Sequence, residues 1–160
     1  MSHRETAQSA LQMQIRLAVS ADIPRLMGLA KQVTTAPHWS REQYETALSG
    51  VPASRVVLVA EEEAGLQGFI VGKSLDEEWE IENIVVAAAV QRRGLGTRLL
   101  REFLDLARSK GADRIFLEVR ESNLVARRLY ENWAFVENGR RKRYYREPEE
   151  DAIVYQMRFG

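Results

Sequence analysis

Residues 79–110 contain the three linked patterns that most constrain the fold: a strand, a glycine turn and a long amphipathic helix. Apolar and polar residues alternate over residues 79–86, which predicts a strand, although Asn83 interrupts the apolar positions. A helix is predicted from about residue 94 to residue 110. One face of this helix is apolar and is formed by Leu95, Leu99, Leu100, Phe103, Leu104 and Ala107. A strand leading into such a helix is typical of an α/β domain.

Further strand and helix patterns occur on both sides of this unit. Strands are predicted near residues 15–19, 56–60, 67–72, 115–119, 135–144 and 153–159, and helices near 20–30, 40–50 and 122–132. Ser40 and Gln43 form a capping box that marks the start of the second helix. The resulting order, βααβββαβαββ, predicts one α/β domain over residues 15–160, with a mixed central β-sheet flanked by about four helices. Residues 1–14 are polar and unpatterned, which predicts a flexible tail.

Composition excludes several classes of function. The 160 residues include no cysteine and two histidines, so zinc clusters, iron–sulfur sites and thiol catalysis are excluded, and no metal site is predicted. The 23 basic and 23 acidic residues balance, which argues against a specific or non-specific nucleic-acid partner. Neither a run of 18 apolar residues nor a signal-peptide pattern occurs, so we expect a cytoplasmic protein with no membrane partner.

The glycine turn between the strand and the long helix is a candidate anion site. Its sequence, QRRGLGT at residues 91–97, places two glycines and two arginines where free N–H groups of the helix start point outward. The pattern matches neither the Walker motif nor the dinucleotide fingerprint. The alternative is a tight turn without a ligand, which is the more frequent meaning of an isolated Gly-x-Gly.

Two residues near the predicted fifth strand are candidates for acid–base chemistry. Glu118 lies within the apolar segment IFLEV, where burial of a carboxylate is costly unless it is bound or protonated. The alternative is a solvent-facing glutamate or one that pairs with Arg120. Tyr130, on the following helix, is either an acid or a packed aromatic residue.

Two charged segments also have alternative interpretations. Residues 76–82 carry five carboxylates and no basic residue, which indicates either a solvated face or a surface that attracts a cationic amine. Residues 140–146 carry five basic residues with Tyr144 and Tyr145. These basic residues form either a charged hairpin balanced by the acidic residues that follow or a surface for phosphates and stacked bases.

These motifs, taken in order, resemble the GCN5-related N-acetyltransferase (GNAT) family, whose signature after the fourth strand corresponds to QRRGLG here. The resemblance is closer to the bacterial ribosomal-protein-alanine N-acetyltransferases, the RimI type. It rests on LEVRESN at 117–123, LYE at 129–131, RRKRYY at 140–145 and EDA at 150–152. It extends over most of the chain from Ile15 to Phe159.

The resemblance implies a GNAT-like domain that uses acetyl-CoA as cosubstrate, without a metal. It implies that Glu118 is the general base and Tyr130 the general acid. The implied coenzyme contacts are a strand segment along the pantetheine arm (Ile84, Val85 and Val86), a pyrophosphate cradle (Arg92, Arg93, Gly94, Leu95, Gly96 and Thr97) and Asn123.

The sequence departs from the family pattern at two places. Three alanines, residues 87–89, stand where the family commonly has an acidic residue and proline. Ala134 replaces the glycine that usually ends the fourth helix. If Ala134 has a left-handed conformation, it costs roughly 1 to 2 kcal/mol.

The leading prediction is transfer of acetyl from acetyl-CoA to the α-amine of a protein N-terminus, with a ribosomal protein as the expected partner. An α-amine is about one-tenth neutral at pH 7, whereas lysine is neutral in about one molecule in 2,500, so an α-amine requires less of the base. The alternatives are an acetyltransferase acting on lysine or a small amine and, from another class, a non-catalytic module that binds coenzyme A or ribosomal RNA. The sequence predicts no oligomeric state.

Overall fold

The computed structural model describes residues 13–33, 38–50, 55–91 and 93–160, and these residues form one mixed sheet with helices packed against it. In chain order the strands and helices are β1 (Gln14–Leu17), α1 (Ile23–Gln32), α2 (Arg41–Leu48), β2 (Arg55–Glu62), β3 (Gly65–Leu75), β4 (Glu78–Val86), α3 (Leu95–Ser109), β5 (Arg114–Arg120), α4 (Leu124–Asn132), β6 (Val136–Tyr145) and β7 (Glu150–Arg158). Short 3-10 turns cover Ser20–Asp22 and Ala88–Val90. The predicted order βααβββαβαββ and the α/β class are confirmed.

The strongest local signals of the sequence form as predicted. Ser40 and Gln43 make the reciprocal capping box: the Gln43 N–H donates to Ser40 Oγ at 3.2 Å, and the Ser40 N–H donates to Gln43 Oε1 at 2.7 Å. All six residues predicted for the apolar face of α3 are buried. This face covers the sheet, where the Phe103 ring contacts the Trp79 ring at a centroid distance of 6.1 Å. Gly111, with φ of +90°, follows the end of α3.

The sheet has the strand order β1-β2-β3-β4-β5-β7-β6 and one parallel pair, β4 with β5. That pairing extends only from Glu78 with Arg114 to Ile81 with Leu117. Glu82 follows at once and lies in a bulge, because Ile81 and Asn83 pair with adjacent residues of β3. A bulge bends the strand that carries it. β4 and β5 therefore separate beyond Ile81, and a gap opens in the middle of the sheet.

Several details of the elements differ from the predictions. β1 begins at Gln14, one residue before the predicted start of the domain, while residues 1–12 of the predicted tail lie outside the described residues. β7 begins at Glu150, three residues before the predicted start, because Glu150 pairs with Tyr145 across the hairpin. Asn83 continues the buried face of β4 with 7% exposure, although its polarity interrupted the sequence pattern.

Ala134 has the left-handed conformation whose cost the sequence analysis considered, with φ of +67°. The Phe135 N–H donates to the Tyr130 carbonyl at 3.1 Å, and the Ala134 N–H donates to the Glu131 carbonyl at 3.3 Å. These bonds end α4 and turn the chain toward β6. The helix end therefore has the shape that a glycine would give it, with the strain of a Cβ added.

Ala134→Gly should raise the free energy of unfolding by about 1 kcal/mol, because the strain of a left-handed alanine exceeds the extra backbone entropy of glycine. Urea denaturation measures this change. Ala64→Gly is the matched control, since Ala64 lies in an exposed turn and has no positive φ. The control should be neutral or destabilising, and an equal gain in both variants would contradict the assignment of strain to Ala134.

Asp22 joins the start of α1 to β1. Its carboxylate accepts hydrogen bonds from Arg16 Nη1 at 2.8 Å, Arg16 Nη2 at 3.0 Å and the Val19 N–H at 2.8 Å. Asp22 is buried, with 7% exposure. The hydrogen bonds from Arg16 hold the pKa of Asp22 below its usual value, despite the opposing effect of burial.

Asp22→Asn should lower the free energy of unfolding by about 2 to 3 kcal/mol at pH 7, since the charged hydrogen bonds to Arg16 are lost. A depressed carboxyl pKa adds stability above the pKa of the unfolded chain, and that stability disappears as the pH falls through the folded pKa. The difference between wild type and variant should therefore shrink in acid. Urea titrations at several pH values test this, with exposed Asp105→Asn as a control expected within about 0.5 kcal/mol of wild type.

Candidate functional site

The gap between β4 and β5 opens into two adjoining cavities. The larger cavity, of about 440 Å³, lies between the end of β4, the start of α3 and the first turns of α4. The smaller cavity, of about 100 Å³, lies between the diverging parts of β4 and β5 and the facing side of α4. Ile84, Asn123 and Ala126 line both cavities. These three residues form the junction at which one ligand can reach from the larger cavity to a second ligand in the smaller one.

The start of α3 forms one wall of the larger cavity. Gly94 has φ of +78° and precedes the helix, and no side chain caps the helix at this position. The first-turn N–H groups of Leu95, Gly96 and Thr97 have no intrahelical acceptor, as at any helix start. All three residues and Gly94 line the cavity. This wall therefore presents amide donors and the positive end of a 15-residue helix to an anion.

The basic residues of the predicted cradle contribute less to this wall. Arg93 is half-exposed and pairs through Nη2 with Glu62 Oε1 at 3.1 Å, and it does not line the larger cavity. Arg92 lies outside the described residues. Among the described residues, the attraction for an anion here comes from the backbone of α3 rather than from the arginine side chains.

The free edge of β4 forms a second wall of the larger cavity. The Ala87 N–H donates to the Gln67 carbonyl at 2.8 Å, toward β3. Backbone groups alternate in direction along a strand, so those of Ile84 and Val86 face the gap. Gln91 Nε2 donates to the Val86 carbonyl at 3.3 Å. The Val85 side chain lies on the opposite face of the sheet from those of Ile84 and Val86, and it is buried in the core. An extended ligand with amide groups can pair with this edge as an added strand does.

Glu118 lies in the smaller cavity, at the end of β5 that has separated from β4. Its side chain is 12% exposed, and its Oε1 forms an ion pair with Arg141 Nε at 2.7 Å. The nearby charge of Glu118, followed by a hydrogen bond between the Tyr144 hydroxyl and this carboxylate, raises the pKa of Tyr144. Glu118 is therefore neither solvent-facing nor paired with Arg120. Arg120 pairs with Glu150 at 3.3 Å and lies over the Tyr145 ring at 4.3 Å.

Two tyrosines line the smaller cavity with Glu118. Tyr130 is 4% exposed, and its ring contacts Phe135 at a centroid distance of 5.5 Å. Burial raises the pKa of Tyr130 above its ordinary value. Burial and the charge of Glu118 raise the pKa of Tyr145 to about 12. Both hydroxyl groups therefore keep their protons at neutral pH and are available as donors.

Glu80 and Glu82, two carboxylates on β4, lie near Glu118. Burial, followed by the charges of Glu82 and Glu118, raises the pKa of Glu80. Glu82 lines the smaller cavity and accepts a hydrogen bond from Arg55 Nε at 2.8 Å. Glu82 is paired with Arg55 and Glu118 with Arg141, so a cationic ligand competes with these arginines for the carboxylates. Part of the predicted acidic face is thus a wall of the site.

Asn123 has a structural contact as well as a place at the junction. Its Oδ1 accepts a hydrogen bond from the Ala126 N–H at 3.2 Å and so caps α4. The side-chain amide N–H groups are not used by this cap and are potential donors to a ligand. The site thus combines an anion-binding helix start, an open strand edge, a carboxylate and buried hydroxyl donors around one junction.

Comparison with known proteins agrees with this geometry. The model of the acetyltransferase (GNAT) family matches residues 20–135. The chain belongs to this family. A ribosomal protein bS18-alanine N-acetyltransferase of Salmonella typhimurium is 30% identical over 142 residues, covering 88% of this chain and 93% of the relative.

Solved structures of GNAT proteins have the same fold. The ribosomal-protein-S18-alanine N-acetyltransferase of Escherichia coli superposes with a TM-score of 0.82 at 26% identity, covering 91% of this chain and 93% of that structure. The structure of yncA from Salmonella typhimurium contains its cofactor acetyl-CoA. The superposition covers 92% of this chain and 94% of that structure, with a TM-score of 0.79 at 20% identity. This similarity concerns the fold alone.

Membership of the GNAT family identifies the chain as an acetyl-CoA-dependent N-acetyltransferase, which confirms the predicted enzyme class. Among the described residues, no group of three potential ligands from histidine, cysteine, aspartate and glutamate is placed to hold a metal ion. No helix within the described ranges is long and apolar enough to cross a membrane.

Sequence reasoning missed several residues of the GNAT site. Arg141 and Tyr144 contact Glu118, and Tyr145 and Glu82 line the smaller cavity. The sequence did mark the segment that contains Arg141 and both tyrosines, as a charged hairpin or a phosphate-binding surface and as part of the family resemblance, but it gave these residues no role beside Glu118. Two of its other basic residues pair with acidic residues that follow, as the hairpin interpretation predicts: Arg140 with Asp151 and Arg143 with Glu149.

Proposed function

We propose that this GNAT enzyme transfers acetyl from acetyl-CoA directly to the α-amine of a protein N-terminus, and that ribosomal protein bS18 is its acceptor. The observation that carries the proposal is the junction of the two cavities, because Glu118 lies on one side of it and the anion-binding helix start on the other. The choice of acceptor is supported by relatives of about 30% identity over most of the chain, which are named as bS18-alanine N-acetyltransferases.

In this proposal the larger cavity holds the coenzyme. The N–H groups of Gly94–Thr97 bind the pyrophosphate, while Ile84 and Val86 pair with the amide groups of the pantetheine arm. The thioester then lies at the junction, near Asn123 and Ala126. Arg93 adds screened positive charge outside this contact.

Gly96→Leu should weaken coenzyme A binding by at least about tenfold without a matching loss of stability. A Cβ on Gly96 meets Leu129 at 3.6 Å and Val86 at 3.8 Å, which are ordinary contacts, so the backbone tolerates it while the rest of a leucine fills the cavity. Calorimetric titration of coenzyme A measures the effect. Gly28→Leu, on an exposed part of α1, is the matched control and should bind as wild type does.

Arg92→Ala should weaken coenzyme A binding less than Gly96→Leu, because salt screens the charge that it removes. An equal or larger loss in Arg92→Ala would contradict a cradle formed mainly by the helix start.

The proposed transfer needs three groups around the thioester. Glu118 takes a proton from the acceptor ammonium, directly or through water, and the neutral amine then attacks the carbonyl carbon. An N–H group at the open edge of β4 near Val86 stabilises the oxyanion that forms. The C–S bond breaks as the amide forms, Tyr130 protonates the coenzyme A thiolate, and the proton that the amide nitrogen loses passes through water to the Tyr130 phenolate.

The free energy of amine deprotonation favours an N-terminus as acceptor. An α-amine with a pKa near 8 pays roughly 1.4 kcal/mol to become neutral at pH 7, whereas a lysine with a pKa of about 10.4 pays roughly 4.6 kcal/mol. One carboxylate that also contacts Arg141 is a modest base, and it suits the smaller of these costs.

Mass spectrometry of acetylated peptides tests the acceptor. The purified protein is given acetyl-CoA and three peptides of otherwise identical sequence: one begins with alanine, one begins with a bulky residue, and one has a blocked N-terminus and a lysine. We expect acetyl on the α-amine of the alanine peptide. Modification of the blocked peptide alone would overturn the N-terminal assignment and favour a lysine acceptor.

A further inference from the structure

Arg141 holds the carboxylate that the proposed mechanism needs. Its Nε lies 2.7 Å from Glu118 Oε1, and its side chain is 60% exposed whereas that of Glu118 is 12% exposed. The guanidinium also lies 5.5 Å from the Tyr144 ring centroid. A cation from β6 thus reaches inward from the surface to the Glu118 carboxylate in the smaller cavity.

We propose that Arg141 occupies the place of the acceptor ammonium on Glu118, and that the acceptor must displace Arg141 to be acetylated. This inference rests on the proposed role of Glu118 as the base. The ammonium group and the guanidinium carry the same charge, so both are attracted to the same carboxylate and repel one another at short distance. Arg141 is then a specificity residue: a positively charged amine exchanges for it, whereas a neutral amine cannot replace the lost ion pair.

The segment that follows Arg141 is only partly held in the regular strand pairing. The register of β6 against β7 shifts between Arg141 and Tyr145, so residues 142–144 lie outside the regular pairing. The neighbouring Arg140 is held at 2.8 Å by both Glu121 and Asp151. The strand is therefore fixed beside Arg141, while Arg141 has a single carboxylate partner among the described residues and lies mostly in solvent.

The magnitude of the ion pair suits displacement. Ion pairs with one exposed member contribute up to about 1 kcal/mol, which is about a fivefold change in an equilibrium constant. The pair is thus strong enough to hold Glu118 in the free enzyme and weak enough for an acceptor to replace it. After Arg141 has been displaced, the complex of enzyme and peptide no longer depends on the residue at position 141. A substitution of Arg141 is therefore expected to change the binding of the acceptor.

Steady-state kinetics of Arg141→Gln with the alanine-starting peptide tests the proposal. We expect the peptide KM to fall by about fivefold with kcat and the acetyl-CoA KM unchanged. Arg143→Gln is the matched control, because it removes the same charge from the same segment while its partner, Glu149, does not line the smaller cavity. The control should keep the wild-type KM. An unchanged or raised KM in Arg141→Gln, or an equal fall in both variants, would overturn the proposal.

A second measurement adds a free guanidinium compound in place of the side chain that Arg141→Ala removes. Ethylguanidinium at about 0.1 to 0.5 M should inhibit Arg141→Ala competitively against the peptide but not against acetyl-CoA, and should inhibit wild type less, with sodium chloride at the same ionic strength as the control. No such difference would overturn displacement by the peptide. Failure of the proposed function shows elsewhere, as wild-type turnover in Glu118→Gln or as acetyl found only on lysine, so the two failures are distinguishable.

Discussion

Glu118→Gln is expected to lower kcat by about 10²- to 10⁴-fold at pH 7 with little change in coenzyme A binding. The substitution keeps the size of a side chain that is 12% exposed and removes its capacity to accept a proton. Coenzyme binding should persist because Glu118 does not line the larger cavity. Single-turnover rates with saturating acetyl-CoA, together with calorimetric titration of coenzyme A, separate the two effects.

The pH dependence of this defect distinguishes a base from a structural carboxylate. An α-amine with a pKa near 8 is about one-tenth neutral at pH 7 and mostly neutral at about pH 9. The need for a base falls over this range, so the ratio of wild-type to variant rates should shrink as the pH rises. Glu121→Gln is the control, since Glu121 is exposed and pairs with Arg140. Wild-type turnover of Glu118→Gln at pH 7 would contradict the base assignment.

Tyr130→Phe should lower kcat by about 10²-fold and leave the acceptor KM nearly unchanged, because it removes one proton donor from an otherwise identical helix. The effect should depend on the leaving group. A thiol of much lower pKa than that of coenzyme A departs without protonation. An acetyl thioester of an acidic aryl thiol should therefore narrow the difference between wild type and variant.

Tyr145→Phe is the natural comparison, because Tyr145 lines the same cavity and also keeps its proton, with a pKa of about 12. The kcat of Tyr145→Phe should fall less than that of Tyr130→Phe, since α4 carries Tyr130 one turn beyond Ala126 at the junction. Equal ratios with both thioesters in Tyr130→Phe, accompanied by a lower Tm, would indicate that Tyr130 is a packed aromatic residue.

Local chemistry explains which features were predictable from the sequence. The capping box of Ser40, the buried face of α3 and the left-handed Ala134 each depend on residues within a few positions of one another. The order of strands and helices along the chain follows from such local signals. The family signature in QRRGLG then predicts the place of the coenzyme.

The Arg141–Glu118 pair depends on long-range structure, which local patterns do not encode. β7 lies between the strands that carry these two residues, and the register of β6 shifts just beyond Arg141. A shift of one residue reverses the side to which a strand residue points. Local sequence patterns do not predict the bulge at Glu82 either. This bulge directly follows the last residue of β4 that pairs with β5. Both features need the assembled sheet.

A crystal structure with a bisubstrate ligand, in which coenzyme A is joined through an acetyl linker to the α-nitrogen of an alanine-starting peptide, tests the central claim most directly. The account predicts the pyrophosphate at Gly94–Thr97, the linker at the junction formed by Ile84, Asn123 and Ala126, and the peptide in the smaller cavity. The α-nitrogen should lie within about 3.2 Å of Glu118 or of one bridging water, with Arg141 displaced. A ligand whose coenzyme lies outside the larger cavity, or whose nitrogen lies far from Glu118, would contradict it.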